Sequence, residues 1–340
     1  MPDDDHSPAE IALLLYPGVR TAAVYGMIDL FDAAGGKARA LHGARAASLR
    51  VSQWKMADGG DVVRVADSHG EHPSRPAAVV VLPALGDLPT RETAAPFARW
   101  LTERHDEGAM LCSVCAGAFL LAETGLLAGR TVTTHWSFAK ALSRRFPQIR
   151  VDADRMIIDD GDIVTAGGIM AWTDLGLMLV ERLLGPDVML ETARFLLVDP
   201  PGREQRCYAG FSPHLRHGDE AILKVQRWLQ GLQEDGADMH AVTLSGMAAI
   251  AGLEERTFLR RFGKATGLKP TEYFQQVRVG KARSMLELTT RNVDDVAWAV
   301  GYEDPAAFHK VFHKVTGLSP RDYRRRFAAG QAAAGLSGSA

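Results

Sequence analysis

Cysteine is scarce in this chain: three residues in 340. An odd and small number excludes a disulfide framework of the secreted kind and points to a reducing, cytoplasmic compartment. No apolar run approaches the roughly 18 residues that a membrane-spanning helix requires, so no membrane partner is expected. The opening MPDDDHSPAE is acidic and polar, the reverse of a signal peptide's basic-then-apolar order. His, Cys and Asp nowhere cluster at zinc-ligand spacing, and neither a metal nor another cofactor is expected. HGDE at 217–220 reads as a helix start with Asp219 as N-cap.

A large net charge is also missing, but the balance hides an asymmetry. The formal charge is −2 over the whole chain. Residues 1–217 hold 22 Lys+Arg against 27 Asp+Glu, whereas residues 218–340 hold 17 against 14. An acidic body with a basic C-terminal third hints at an anionic partner. A chain of this length is too long for one comfortable core, so two domains are the default.

The first half alternates short β-rich runs with helical patterns. EIALLLY (10–16), PAAVVVLPAL (76–85), AMLCSV (109–114) and TVTTHW (131–136) read as strands, each followed by a helix. MIIDDGDIVTAGG (156–168) reads as a hairpin ending in glycines, followed by the apolar helix IMAWTDLGLMLVERLLG. Continuous apolar strands between helices imply a parallel sheet covered on both faces, in an α/β domain. Ligands bind such folds at the carboxyl ends of the strands, where Cys115, His135, Gly167 and Gly168 fall. Prolines and glycines then punctuate VDPPGREQRCYAGFSPHLRHGD (198–219), which reads as a linker. Beyond it the strand signal vanishes and the pattern is all-α.

Internal repetition carries the second half. TFLRRFGKATGLKPTEY (257–273) over AFHKVFHKVTGLSPRDY (307–323) gives eight identities in 17 positions, Phe258/Phe308, Phe262/Phe312 and Tyr273/Tyr323 among them. Each copy reads as a short helix, a turn containing Gly252 or Gly301, and a second helix, which is helix-turn-helix. In the second copy Phe308, Val311, Phe312 and Val315 form the buried stripe, which turns Ala306, His309, Lys310, His313 and Lys314 outward. In the first copy Phe258, Phe262 and Ala265 face inward and Arg256, Leu259, Arg260 and Lys264 project. Cationic outer faces suit the major groove of double-stranded DNA, where Arg and Lys bond guanine edges and phosphates. The intervening helical stretch of about 20 residues, roughly 30 Å long, suits two recognition helices about one duplex turn apart.

Residues 219–327 resemble the double helix-turn-helix domain of AraC/XylS-type transcription regulators, on the VGY turn and the FHKVTGLSPRDYRRRF ending. The resemblance implies base readout by Arg256, Leu259 and Arg260, and in the second copy by Ala306, His309 and Lys310. Histidines and an alanine in the second helix imply weaker direct readout there.

On AMLCSVCAGAFLLAETGLLAGRTVTTHW and DGDIVTAGG, residues 8–190 resemble the PfpI-like superfamily. This is a class I amidotransferase-like, flavodoxin-like doubly wound α/β fold with its cysteine on a nucleophile elbow. The two resemblances together describe the architecture of GlxA-type transcription regulators. The implied organisation is an effector-sensing domain over 8–197, a linker over 198–217 and a DNA-binding domain over 218–328. The helix-turn-helix units fall at about 244–263 and 293–315, and a flexible tail at 329–340. A homodimer, a nucleoid-associated location and RNA polymerase as a further partner go with that resemblance.

A helix N-terminus after Cys115 favours the thiolate, yet the proton-transfer set is incomplete. Ala116 stands where PfpI-like proteases carry a histidine, Ala23 stands where deglycase-like relatives place an acid, and Asp29 lies further along. His135 is the one titratable candidate left. The preferred reading is a non-enzymatic receptor for an amino acid, amine or carbonyl metabolite. Cys115, Ala116 and Gly117 form its floor, His135 and Trp136 one wall, Gly167 and Gly168 a close approach, and Trp172 an aromatic cap. Alternatives remain: a cysteine amidohydrolase or glyoxalase-like enzyme with a DNA-binding tail, and a thiol redox sensor using Cys112 and Cys115. Plainer readings are that Cys115 is inert, His135 a satisfied strand-end residue and Trp172 core.

Overall fold

The computed structural model describes residues 8–44, 46–70, 73–84, 86–233 and 238–329. Residues 1–7, with most of the acidic opening, and 330–340, with all but Ala329 of the expected tail, lie outside the described residues. The chain divides into two compact units, residues 1–205 and 206–340. The changeover falls inside the segment read as a linker.

The first unit is built on a seven-stranded sheet: β1 (Ala9–Leu15), β2 (Leu49–Met56), β3 (Val62–Asp67), β4 (Ala78–Val81), β5 (Met110–Val114), β8 (Ile157–Asp159) and β9 (Ile163–Ala166). Their order is β3-β2-β1-β4-β5-β9-β8. The inner five strands pair in parallel, with Leu14 beside Val81 and Val114 beside Ala166. Only the edge strands β3 and β8 run antiparallel. The parallel core therefore has the flavodoxin-like winding. Strands β4 and β9 are buried along their whole length, which requires cover on both faces. Helices α1 (Thr21–His42), α5 (Trp172–Leu184) and α6 (Pro186–Leu196) pack as one group, and α2 (Arg91–Asp106) and α3 (Gly117–Ala122) as another.

Two features depart from the sequence reading. The hairpin of β2 and β3 has no counterpart in it. TVTTHW is a strand only at Thr131–Val132 (β6), which pairs with β7 (Arg150–Val151) in a separate two-stranded sheet. His135 thus sits in the loop beyond β6, before α4 (Ala139–Arg145), and not at the end of a main-sheet strand.

The second unit is all helical: α7 (Glu220–Gly231), α8 (Leu244–Ala251), α9 (Glu255–Thr266), α10 (Pro270–Leu288), α11 (Val293–Ala299), α12 (Pro305–Thr316) and α13 (Pro320–Phe327). The repeat in sequence is a repeat in structure. Phe262 meets Tyr273 edge-on at 5.3 Å between ring centroids, and Phe312 meets Tyr323 edge-on at 5.3 Å. The Thr266 hydroxyl donates to the Phe262 and Leu268 carbonyls, and Thr316 does the same to Phe312 and Leu318. Gly267 and Gly317 close α9 and α12 at φ 77° and 76°, a region that favours glycine. Asp219 caps α7, accepting from Ile222 N–H at 3.3 Å as its sequence position implied.

The segment read as a linker is packed on both sides of the changeover. Arg203 makes a bidentate pair with buried Asp174 of α5. Beyond it, Arg283 of α10 donates to the carbonyls of Arg206 and Ala209.

Candidate functional site

Cys115 turns the chain from β5 into α3 at φ 57°, one of two non-glycine residues with positive φ among those described. That strained corner is a nucleophile elbow. It is held by Cys115 N–H donating to Ala166 O (2.8 Å) and by the Thr134 hydroxyl donating to Cys115 O (2.7 Å). Gly117 lets α3 close onto β4: a Cβ there would lie 2.3 Å from the Val81 carbonyl oxygen. Its missing side chain thus serves helix–strand packing.

The elbow's electrostatics reverse one expectation. Cys115 is fully buried. Burial pushes its thiol up to about 12, against the opposing pull of the Ala116 and His135 backbone N–H groups. Desolvation outweighs the short helix N-terminus, and the thiol stays protonated at neutral pH. Beside it stands Tyr16, a residue without a sequence signal. Its phenol is buried, donates to Leu82 O at 2.7 Å and is raised above its ordinary range by burial and by the nearby thiol. Ala23 is buried and Asp29 is exposed on α1, so neither brings a carboxylate to Cys115.

His135 is half-buried, its ring 5.3 Å from Trp136 and 5.2 Å from Phe138. Burial lowers its pKa, which keeps it neutral at pH 7. Its Nδ1 accepts from Ser137 N–H (3.2 Å), placing the remaining ring proton on Nε2. Trp172 turns the far edge of its six-membered ring onto α1, where a Cβ on Gly26 would lie 2.4 Å from it. Gly168 stands open, with no atom of the described residues beyond its chain neighbours near its Cβ position, and caps the 3₁₀ turn Ile169–Ala171.

Gly167 is different. A Cβ on it would lie 2.0 Å from the Gln205 side-chain nitrogen. The close approach read from the glycine is already taken by the chain itself. Gln205 Nε2 donates to Thr133 Oγ1 (3.1 Å), Thr134 O (2.9 Å) and Arg155 O (2.9 Å), and its Oε1 accepts from Trp136 N–H (3.3 Å). Gln205 carries no motif, and only the folded chain brings it to this place.

In the second unit α9 and α12 turn outward most of the residues read from the repeat. Arg256, Leu259, Arg260 and Lys264 of α9 are exposed, as are Ala306, Lys310, His313 and Lys314 of α12. His309 is half-buried, its ring edge-on to Phe308 at 6.0 Å. Pro305, Ala306, His309, Lys310, His313 and Ser319 line an open depression on this face. Among the described residues Arg256, Arg260, Lys264, Lys310 and Lys314 enter no salt bridge, which leaves five cations available to an anionic partner. Arg261 does the opposite: it pairs with Asp219 at 2.7 Å and ties α9 to the start of α7.

Comparison with known proteins agrees with this division. The DJ-1/PfpI family profile matches residues 9–182, and a helix-turn-helix domain profile matches residues 247–326. The HTH-type transcriptional regulator GlxA of Rhizobium meliloti is 30% identical over 204 residues, covering 59% of this chain and 60% of that protein. The HTH-type transcriptional regulator CdhR of Pseudomonas aeruginosa is 30% identical over 228 residues, 66% of each chain. Isonitrile hydratase of Pseudomonas putida is 37% identical over 76 residues, 22% of this chain and 32% of that enzyme. The chain thus matches somewhat under two thirds of the length of the two regulators. With the elbow at Cys115, the flavodoxin-like sheet and a profile match over half its length, the chain belongs to the DJ-1/PfpI family, here continued by an AraC-type helix-turn-helix domain.

Proposed function

We propose that the protein is a sequence-specific DNA-binding transcription regulator whose DJ-1/PfpI-family unit takes up a small metabolite at the elbow end of the sheet. The duplicated helix-turn-helix carries this reading: two helices whose outward cations enter no salt bridge among the described residues, each set by the same aromatic and threonine framework. Base contacts are assigned to Arg256, Leu259 and Arg260 in α9 and to Ala306, His309 and Lys310 in α12. Lys264, His313 and Lys314 position the backbone. The effector contacts are assigned to the strand-end loops, with His135, Trp136 and Gly168 reachable and Cys115, Ala116 and Gly117 beneath them. A homodimer would present such helices to paired half-sites. Two relatives named as HTH-type transcriptional regulators support the reading.

An enzymatic reading draws on the match to an isonitrile hydratase. The raised Cys115 thiol and the absence of a carboxylate at Ala23 stand against it. Hydratase or amidohydrolase turnover that disappears in Cys115→Ala would establish it. The regulator reading is tested by selecting duplexes from a random pool with the full chain. A thermal-shift screen against amino acids, amines and aldehydes then follows, each hit being repeated in the presence of the selected duplex. Failure to select any duplex sinks the regulator. Failure of every small molecule to change melting or duplex affinity sinks the effector.

A further inference from the structure

Gln205 sits in a polar site that the rest of the first unit builds around it. Three oxygens, Thr133 Oγ1, Thr134 O and Arg155 O, surround its Nε2, and one N–H, from Trp136, faces its Oε1. That arrangement fixes which way the amide points, because a flipped group would set oxygen against oxygen. The residue is 2% exposed, and its fourth side is Gly167, which has no side chain to compete with it. The partners are those of a receptor for a primary carboxamide, and the chain supplies the carboxamide.

The position of Gln205 in the chain makes this more than packing. It is the last residue of the first unit. The backbone around it is fastened there as well: Gln205 N–H donates to Asp154 O at 2.8 Å, and Arg203 pairs with Asp174. The next residue is fastened into the second unit. Arg206 O accepts from Arg283 Nη2 (3.2 Å), and Arg206 Nη1 donates to the carbonyl of Lys314 near the end of α12 (3.4 Å). One peptide bond separates the two anchorages. On the other side Thr134 joins the site to the elbow, with its carbonyl on Gln205 and its hydroxyl on the Cys115 carbonyl.

We propose that Gln205 is a latch: an internal carboxamide that occupies a ligand site of the first unit and, when displaced, releases the junction that holds Arg206. The competitor is a small molecule with a carboxamide-like end, N–H donors beside one acceptor. The consequence for DNA rests on the reading of the second unit as the DNA-binding output. Displacement changes affinity only to the extent that latched and released states bind DNA differently.

The test is hydrogen exchange on the full chain, read over residues 131–136 and 206–211, with propionamide as the probe. In Gln205→Ala both segments exchange about tenfold faster, the loss of a few hydrogen bonds. Propionamide then slows residues 131–136 again but leaves 206–211 fast, because the probe is not bonded to Arg206. Gly167→Ala, whose new methyl enters the amide's place, loosens both segments and gains nothing from propionamide. Gln205→Glu keeps the volume, removes the N–H donors and also loosens both; with Gly167→Ala it decides the matter if Gln205→Ala does not fold. Unchanged exchange at 206–211 in all three variants overturns the latch. A propionamide effect that is equal in wild type and Gln205→Ala, or absent from both, overturns the carboxamide site. If the wild-type chain selects no duplex, the regulator reading fails while the exchange data still decide the latch.

Discussion

The guanidinium of Arg278 occupies the space that any side chain at Gly301 would have to enter. Its Nη2 lies 2.8 Å from the Cβ position of Gly301, with the Met239 carbonyl oxygen 2.9 Å away on the same side. Arg278 is held there by a hydrogen bond to that carbonyl (3.1 Å) and by the rings of Phe274 and Tyr302, at 4.4 and 4.8 Å. The turn of the second helix-turn-helix is thereby fitted onto α10, the helix between the repeats. The matching turn in the first repeat is free of such contact: apart from its chain neighbours, no atom of the described residues lies within 4 Å of the Gly252 Cβ position.

The two glycines therefore respond differently to alanine. Both have positive φ, 65° at Gly252 and 86° at Gly301, which costs an L-residue roughly 1–2 kcal/mol. Gly252→Ala should cost about 1 kcal/mol. Gly301→Ala must also push aside Arg278 or the Met239 backbone, and should cost about 3 kcal/mol. Denaturant unfolding of the second unit's transition distinguishes them, and equal losses would show that the Arg278 contact is soft.

Asp304 predicts a loss of presentation larger than its loss of stability. Its carboxylate accepts from Ala306 and Ala307 N–H at 2.9 and 3.2 Å and caps the start of α12. Asp304→Ala should cost about 1 kcal/mol, as N-caps generally do. It should also fray the first turn of α12, with Ala306 and His309, the residues proposed to meet the duplex. Affinity for the selected duplex should fall by more than that cost implies. An affinity loss no greater than that of a neutral surface substitution on α10 would place α12 away from the DNA.

The buried thiols set the alkaline limit of the first unit. Burial pushes both Cys112 and Cys115 up to about 12, whereas an unfolded cysteine titrates near ~8.5. Below that unfolded value the thiols are neutral in both states and their contribution is whole. As pH rises toward 12 the unfolded chain loses protons that the folded chain keeps, so stability falls by about 1.4 kcal/mol per pH unit per cysteine. Between pH ~8.5 and ~10 tyrosines are still protonated, and the slope belongs to the thiols. Cys112→Ala and Cys115→Ala should each flatten it, and the native protein should resist iodoacetamide at pH 7. Fast native alkylation of Cys115 would reopen the nucleophile and redox readings.

What the sequence made legible was what local pattern determines. The repeat showed because Phe258, Phe262 and Tyr273 recur with their partners fifty residues on, and a packed aromatic framework tolerates little change. The elbow showed because an apolar strand runs straight into small residues. The hairpin of β2 and β3 stayed hidden because β2 buries Arg50 and Ser52, which break its apolar run. They are tolerated because Glu10 of β1 is buried with them, accepting from Arg50 and from the Ser52 hydroxyl. Gln205 stayed hidden for a related reason: its partners, Thr133, Thr134, Trp136 and Arg155, lie at least fifty residues away, and its own neighbourhood reads only as turns. The protonation of Cys115 is not legible because helix position is visible in a sequence and depth of burial is not.

Adjacent arginines on α9 separate the proposed DNA contact from folding. Arg260 is exposed and enters no salt bridge among the described residues, whereas Arg261 pairs with Asp219, the cap of α7. Arg260→Ala should leave the melting temperature unchanged and weaken binding to the selected duplex. If Arg260 bonds a base, discrimination against mismatched duplexes at one position drops by about 1–3 kcal/mol. If it contacts only phosphate, binding falls evenly across sequences and the slope of log affinity against log salt decreases by about 1. Arg261→Ala should show the reverse, a destabilised second unit with little change in the salt slope of the protein that remains folded. Its pair is only part-buried, so the loss should be modest. Should Arg261→Ala alter the salt slope and Arg260→Ala leave affinity untouched, the outward face of α9 would have been assigned one residue out of register. The base contacts at Arg256 and Leu259 would then fall with it.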